Sequence, residues 1–217
     1  MKVELIGLTK PSASTGCNTA DELVAYAARV SNPTNQNNNE TAPKLLKYLI
    51  KNEHWSPFEM VSVQMSITTT RDISRQIIRH RSFSFQEYSQ RYAEAPEQIY
   101  TREARLQDPE NRQNSIPSDD VAQALRFRKL QEKVNIEAKT AYNKALKDGI
   151  AKEQARALLP EGLTETTLIM SGSLRSWIHY CDLRMGNGTQ KEHAEIAQMC
   201  WNILSQHFPS VTAAMEQ

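Results

Sequence analysis

Residues 60–81 change hydrophobic period once, and that change limits the folds open to this chain. Val61, Val63, Met65 and Ile67 alternate with polar residues, which predicts a half-buried strand over 60–69. From residue 71 the spacing becomes helical: Arg71, Arg75 and Arg79 recur at i, i+4 and i+8 on one stripe, while Ile73, Ile77 and Ile78 lie on another. A strand that runs straight into such a helix needs a core on one side. On the other it needs acceptors, because converging guanidinium groups repel and each desolvated one must be paired. The helix is expected to deliver Arg79 to its C-terminal end, where His80 and Arg81 continue into a polar, extended Ser-Phe-Ser-Phe segment. Glu87, Ser89, Gln90 and Arg91 follow closely, so the segment reads as a binding site for an anionic ligand held by charge-assisted hydrogen bonds.

The rest of the chain supplies helices around few strands. Residues 1–8 read as a strand, and Thr19 with Glu22 forms a capping box for a helix that ends by Asn32-Pro33. Asn35 to Asn39 is a surface loop, and Pro43 opens a second helix over 44–51 with Leu45, Leu46, Leu49 and Ile50 inward. His54-Trp55-Ser56-Pro57-Phe58-Glu59 is a compact turn. Residues 101–118 are expected to be irregular, with Ser118 capping a long helix stopped by Gly149. The apolar stripe of that helix is read as Val121, Leu125, Leu130, Val134, Ala138, Ala141, Tyr142 and Ala145. A short helix bearing Arg156 ends at Pro160, a strand spans 164–171, and helices follow over 173–184 and 192–207 around a Gly186-Asn187-Gly188 turn. The expected class is α+β: one helix-rich domain over 1–217 around a small mixed or antiparallel sheet, with a helical insertion around 118–150.

Composition narrows the function. A formal net charge of +1 argues against bulk binding to nucleic acid or membrane, so any positive patch is local and suits one small anion. No apolar run approaches the ~20 residues a membrane span requires, and no signal-peptide pattern opens the chain. Cys17, Cys181 and Cys200 are odd in number and lack metal-ligand spacing, which fits a reducing cytoplasm, with Cys181 and Cys200 as core residues. The five histidines, His54, His80, His179, His193 and His207, are dispersed, so no metal site is expected, and His193 and His207 read as surface or packing residues. No cysteine sits in a setting that would activate it. Ser89 with His80 as base lacks a nucleophile elbow, and no glycine-rich phosphate loop is present.

Four ordered blocks carry a family resemblance. Arg79-His80-Arg81, seven residues and Ser89 resemble the signature of the flavin-dependent thymidylate synthases. His54 to Glu59 resembles that family's His-x-x-Pro-Phe-Glu segment, and Glu153-Gln154-Ala155-Arg156 before Leu159-Pro160 its Glu-x-Ala-Arg-x-x-Leu-Pro stretch. Ser173-Leu174-Arg175-Ser176 to Leu183-Arg184 resembles the late helix, continued by Gln190 and Glu192; Ser173 and His179 stand where the family usually has Asn.

The resemblance implies a homotetramer, with sites at subunit interfaces, that makes dTMP from dUMP. It implies methylenetetrahydrofolate as carbon donor and NADPH as reductant through FAD. By position, Ser56, Arg79, His80 and Arg81 match flavin-binding residues, as do Glu87, Ser173, Arg175 and His179. Gln76, Arg79, Glu87 and Ser89 match dUMP-binding residues, joined by Gln90, Arg91, Arg156 and Arg184. His54 falls near flavin and folate. Arg184 matches the catalytic position, where a guanidinium stabilises charge developing on the uracil. Arg71 and Arg75 read as surface or intersubunit ion-pair residues, Arg102 and Arg105 as solvating the next loop, and Lys152 with Glu153 as a local pair. The rival reading is a single-stranded nucleic-acid binder using segment 71–92, with Phe83, Phe85, Tyr88 and Tyr92 as stacking platforms.

Overall fold

The computed structural model describes residues 1–98, 100–186 and 188–215. Strand β1 (Lys2–Leu8) leads into α1 (Ala20–Ala28), whose Thr19–Glu22 capping box forms in both directions. Next, α2 (Ala42–Lys51) takes Pro43 into its first turn and buries Leu46 and Leu49. A 3₁₀ turn over Ser56–Met60 then feeds β2 (Ser62–Thr70), which passes without a loop into α3 (Arg71–Ile77). After β3 (Ser84–Glu87) come a short hairpin, β4 (Arg105–Gln107) and β5 (Ser115–Pro117), and the long α4 (Val121–Lys147). The chain continues through α5 (Lys152–Ala155), β6 (Glu165–Ser173), α6 (Leu174–Met185), α7 (Lys191–His207) and α8 (Pro209–Met215).

The main sheet has the order β1-β2-β6-β3, and every neighbouring pair is antiparallel. This is the expected α+β arrangement. The β2–β6 register pairs Met65 with Met170 and Ile67 with Leu168, so the apolar sides of both strands fall on one face. Those four residues are fully buried, together with Val63, Ile73, Ile77 and Trp177. Trp177 satisfies its buried indole by donating to the Val63 carbonyl at 3.0 Å. The opposite face is polar, with Thr68 and Thr167 hydroxyls 2.9 Å apart and Gln64 donating to Ser171. Cys181 and Cys200 are core residues, as expected.

Several expectations need correction. Residues 105–117 form a hairpin rather than irregular chain, because Asp108 organises its tip: the carboxylate accepts from the backbone N–H groups of Glu110 and Asn111. The α4 cap is Asp120, which accepts from the Gln123 N–H, while Ser118 instead donates to the Gln123 side chain. Gly149 does end the helix, at φ 82°, where only glycine enters the left-handed region without strain. The predicted apolar stripe of α4 is buried only toward its C-terminal end, at Tyr142 with Ala145 packed beside it, while Val121, Leu125, Leu130 and Val134 are all exposed. Only Gln131, Asn135 and Tyr142 are buried along α4, and hydrogen bonds anchor it, among them Ala95 N–H to the Tyr142 hydroxyl at 3.0 Å. Helix α8, packed on α2, had no sequence signal. In the Gly186-Asn187-Gly188 turn, Asn187 lies outside the described residues.

Candidate functional site

The expected site residues fall into three patches on one chain. The first gathers where α3 ends beside the last turn of α6. Arg184 donates from Nε to His80 Nε2 at 2.8 Å. A guanidinium only donates, so His80 is neutral and carries its proton on Nδ1. Burial first, then the nearby charges of Arg184 and Arg79, lowers the His80 pKa to about 4. Held by a neutral imidazole rather than a carboxylate, Arg184 keeps its charge uncompensated. Among the described residues its other N–H groups have no partner within the chain. His193 is fully buried below, with Nε2 3.1 Å from the Tyr180 hydroxyl and Nδ1 3.3 Å from Gln76 Oε1. Arg79 and Arg81 stand exposed, and neither has an ion-pair partner among the described residues.

The second patch surrounds the start of α6. Ser173 caps that helix by accepting from the Ser176 N–H at 3.3 Å. Arg175 donates to Glu59 at 2.7 Å, and hydrogen bonds from Ser173 and then Arg175 hold the Glu59 carboxyl below its usual range. The rings of Trp55 and His179 meet edge-on at 4.5 Å. His54 follows Glu53, which sits in the left-handed region at φ 55° as the helix-ending residue of α2; the His54 N–H returns to the Leu49 carbonyl at 2.8 Å. A non-glycine residue there costs about 1 kcal/mol.

The third patch lies beyond β3. Glu87 accepts from Ser74 at 2.9 Å and Thr166 at 3.0 Å, which fixes the end of the strand. Arg91 donates to Glu153 at 3.1 Å, and Arg156 donates to the Glu153 carbonyl at 3.2 Å. Gln90 is 2% exposed, yet its Nε2 has no hydrogen-bond partner. A buried amide left orphaned next to Arg91 in the chain fits a site that an acceptor completes. Among the described residues, no hydrogen bond or ion pair links Arg184 to Ser89, Gln90, Arg91 or Arg156.

Some readings change. Arg71 is buried rather than surface, pairing with Glu161 at 3.2 Å, while Arg75 shares that carboxylate from the exposed side. Arg102 does not solvate a loop but binds Asp72 at 2.8 Å and Glu192 at 3.2 Å. Lys152 donates to the Tyr92 carbonyl instead of pairing with Glu153. Phe83 is buried against Trp177, with centroids 4.9 Å apart, and Phe85 packs against the core. That removes half of the stacking platform a nucleic-acid binder would use. Glu59, the last residue of the His54–Glu59 block, receives no role from sequence, and it is the acceptor that holds Arg175.

A cavity of about 670 Å³ lies elsewhere, between the β4–β5 hairpin and the starts of α4 and α7. None of the expected site residues lines it. Most of its charges are already paired, Lys191 with Glu103 and Glu195, and Arg105 with Glu103. The three patches therefore carry more weight than the cavity. They offer free guanidinium groups and an orphaned donor to a ligand.

Fold and site together define an α+β protein with an antiparallel sheet and arginine-bearing patches at the ends of α3, α6 and β3. Comparison with known proteins narrows this. The thymidylate synthase complementing protein family (Thy1) matches residues 14–210. A probable flavin-dependent thymidylate synthase of Paramecium bursaria Chlorella virus 1 is 50% identical over 219 residues, covering 100% of this chain and 99% of its own length. The flavin-dependent thymidylate synthase of a Synechocystis species is 49% identical, over 100% of both chains. Among solved structures, a UMP/dUMP methylase, PolB of Streptomyces cacaoi, bound with 5-Br dUMP, superposes with a TM-score of 0.84 at 27% identity, covering 99% of this chain and 94% of the other. The chain belongs to the thymidylate synthase complementing protein family.

Proposed function

We propose that the chain methylates dUMP to dTMP, taking carbon from methylenetetrahydrofolate and reducing equivalents from NADPH through FAD. The observation that carries this reading is the Arg184–His80 contact. An arginine fixed by a neutral histidine has two terminal nitrogens for a ligand and an unneutralised charge, which suits an anion developing on the uracil ring. No enzyme thiolate is then required, in keeping with Cys181 and Cys200, whose thiol pKa values burial pushes up.

The residues fit the two ligands. Uncompensated Arg79 and Arg81, with His80, Ser56, Glu87, Ser173, Arg175 and His179, would hold FAD. Ser173 and Arg175 already share Glu59, so FAD meets the remaining N–H groups of Arg175. The Trp55–His179 pair offers an aromatic edge beside it, near His54. When bound, FAD passes reducing equivalents from NADPH to the transferred one-carbon unit. Ser89, Gln90 and Arg91, with Gln76 and Arg156, would hold the nucleotide phosphate, and the orphaned Gln90 amide gains an acceptor there. Arg79 and Glu87 would border both ligands.

Two features support a homotetramer with sites at subunit interfaces. The Arg184 patch is not joined to the Ser89–Arg156 patch within one chain, and α4 exposes Val121, Leu125, Leu130 and Val134. A further copy packed on that face would cover it. Segment 118–150 then serves assembly, as a helical insertion in a single domain. No helix among the described residues is long and apolar enough to cross a membrane, and three free thiols support a reducing cytoplasm.

Arg184→Ala tests the proposal. The purified variant is expected to remain yellow, with FAD bound, and to lose about 10²–10³ or more in tritium release from dUMP labelled at C5. Near wild-type release would remove Arg184 from the chemistry, and colourless wild-type protein that FAD cannot reconstitute would overturn the proposal itself.

A further inference from the structure

The amide of Gln76 has a fixed direction, and the residues that set it are not site residues. Glu192 is the starting point. Burial alone would raise its pKa, but its own backbone amide, Gln190 and Arg102 hold it below the ordinary range. An ionised carboxylate only accepts. The bond between Gln190 Nε2 and Glu192 Oε2, 2.9 Å, therefore has Gln190 as donor, which turns Gln190 Oε1 outward. That oxygen accepts from Gln76 Nε2 at 2.7 Å. Gln76 Oε1 is then directed inward to His193 Nδ1, 3.3 Å away, which must carry the imidazole proton. His193 Nε2 is left with a lone pair and accepts from the Tyr180 hydroxyl at 3.1 Å. Each link has one permitted direction once the first is set.

The consequence lies at Gln76. Its carbonyl oxygen faces a fully buried histidine, and its NH₂ group faces an exposed glutamine. One Nε2 hydrogen goes to Gln190, so a second remains at the open end as a donor. Reversed, the same side chain would present a carbonyl oxygen to the ligand and repel an anionic group. We infer that Glu192, Gln190 and His193 are positioning residues that lock Gln76 as a hydrogen-bond donor toward an anionic oxygen of the bound nucleotide. This rests on the reading above that Gln76 touches dUMP. Arg102 anchors the far end by binding both Glu192 and Asp72.

The test is calorimetric titration of FAD-loaded protein with dUMP, beside melting temperatures without dUMP. Glu192→Gln permits the Gln190 amide to reverse, and Gln190→Met breaks the relay without altering charge. Both are expected to raise the dUMP Kd about tenfold, the scale of one hydrogen bond to a charged group. In the Gln76→Ala background, neither substitution is expected to weaken binding further, because they act through Gln76. His193→Gln, which supplies a donor to Gln76 and an acceptor to Tyr180, is expected to keep wild-type affinity, whereas His193→Leu loses it. If Gln76→Ala weakens dUMP binding while Glu192→Gln and Gln190→Met do not, the positioning inference is wrong and the site reading stands. If Gln76→Ala itself leaves the Kd unchanged, the contact between Gln76 and dUMP fails. Equal losses from Glu192→Gln with and without Gln76 would mark a structural role through Arg102 and overturn the inference.

Discussion

Acidification is expected to destabilise the fold, and one buried ring carries a share that can be measured separately. His193 is 0% exposed, and burial, then Arg184 and His80, brings its pKa from 6.5 down to about 3. In the unfolded chain it titrates near its ordinary value of about 6.5. Between those two values the unfolded state holds one more proton than the native state, so stability falls as pH falls. The slope is about 1.4 kcal/mol per pH unit, and from pH 7 to 4.5 the loss from this group integrates to about 2.5–3 kcal/mol. His80, lowered to about 4, and His179, lowered by burial, lose stability over the same window, and their losses are common to the two proteins compared below. Carboxylates held low, such as Glu59, Glu161 and Glu192, add losses of their own further down. The comparison with His193→Gln isolates the ring, since the carboxamide keeps both hydrogen bonds and does not titrate. Urea unfolding followed by circular dichroism, at pH 7 and 4.5 and at one protein concentration, gives four stabilities. The wild type should lose about 2.5 kcal/mol more than the variant. Equal losses in the two proteins would mean that His193 accepts a proton without penalty, and the neutral ring assigned from its two partners would be wrong.

Two further outcomes follow from local geometry. Gly172→Ala would place a Cβ 2.4 Å from Phe83 Cδ1, and Phe83 is wedged against Trp177, so overpacking should cost about 1–3 kcal/mol. Scanning calorimetry should show a melting temperature lower by several degrees; an unchanged value would show that Phe83 has room to move. Ser89→Ala should weaken dUMP binding by about ten- to hundredfold without abolishing turnover, as expected for a hydrogen-bond donor to a charged group. Complete loss of turnover with dUMP binding intact would restore Ser89 as a nucleophile.

The sequence by itself determined the elements whose signal is local. Alternation placed β2, the Thr19–Glu22 box placed α1, and Gly149 placed the end of α4, because periodicity and capping act within a few residues. It also carries the ordered blocks from His54 to Glu192 that mark the family, since these are written in residue identity. Only the tertiary structure decided partners and exposure. Arg71 and Arg102 read as surface charges, yet both are drawn in by acids far along the chain, Glu161 and Glu192. The stripe on α4 reads as core, yet its N-terminal half, Val121 to Val134, is exposed within the chain. His193 reads as packing, yet its neighbours give it a fixed tautomer and a place in a directed chain of bonds. Burial and hydrogen-bond direction depend on groups brought together from a hundred residues apart, and no local pattern encodes them.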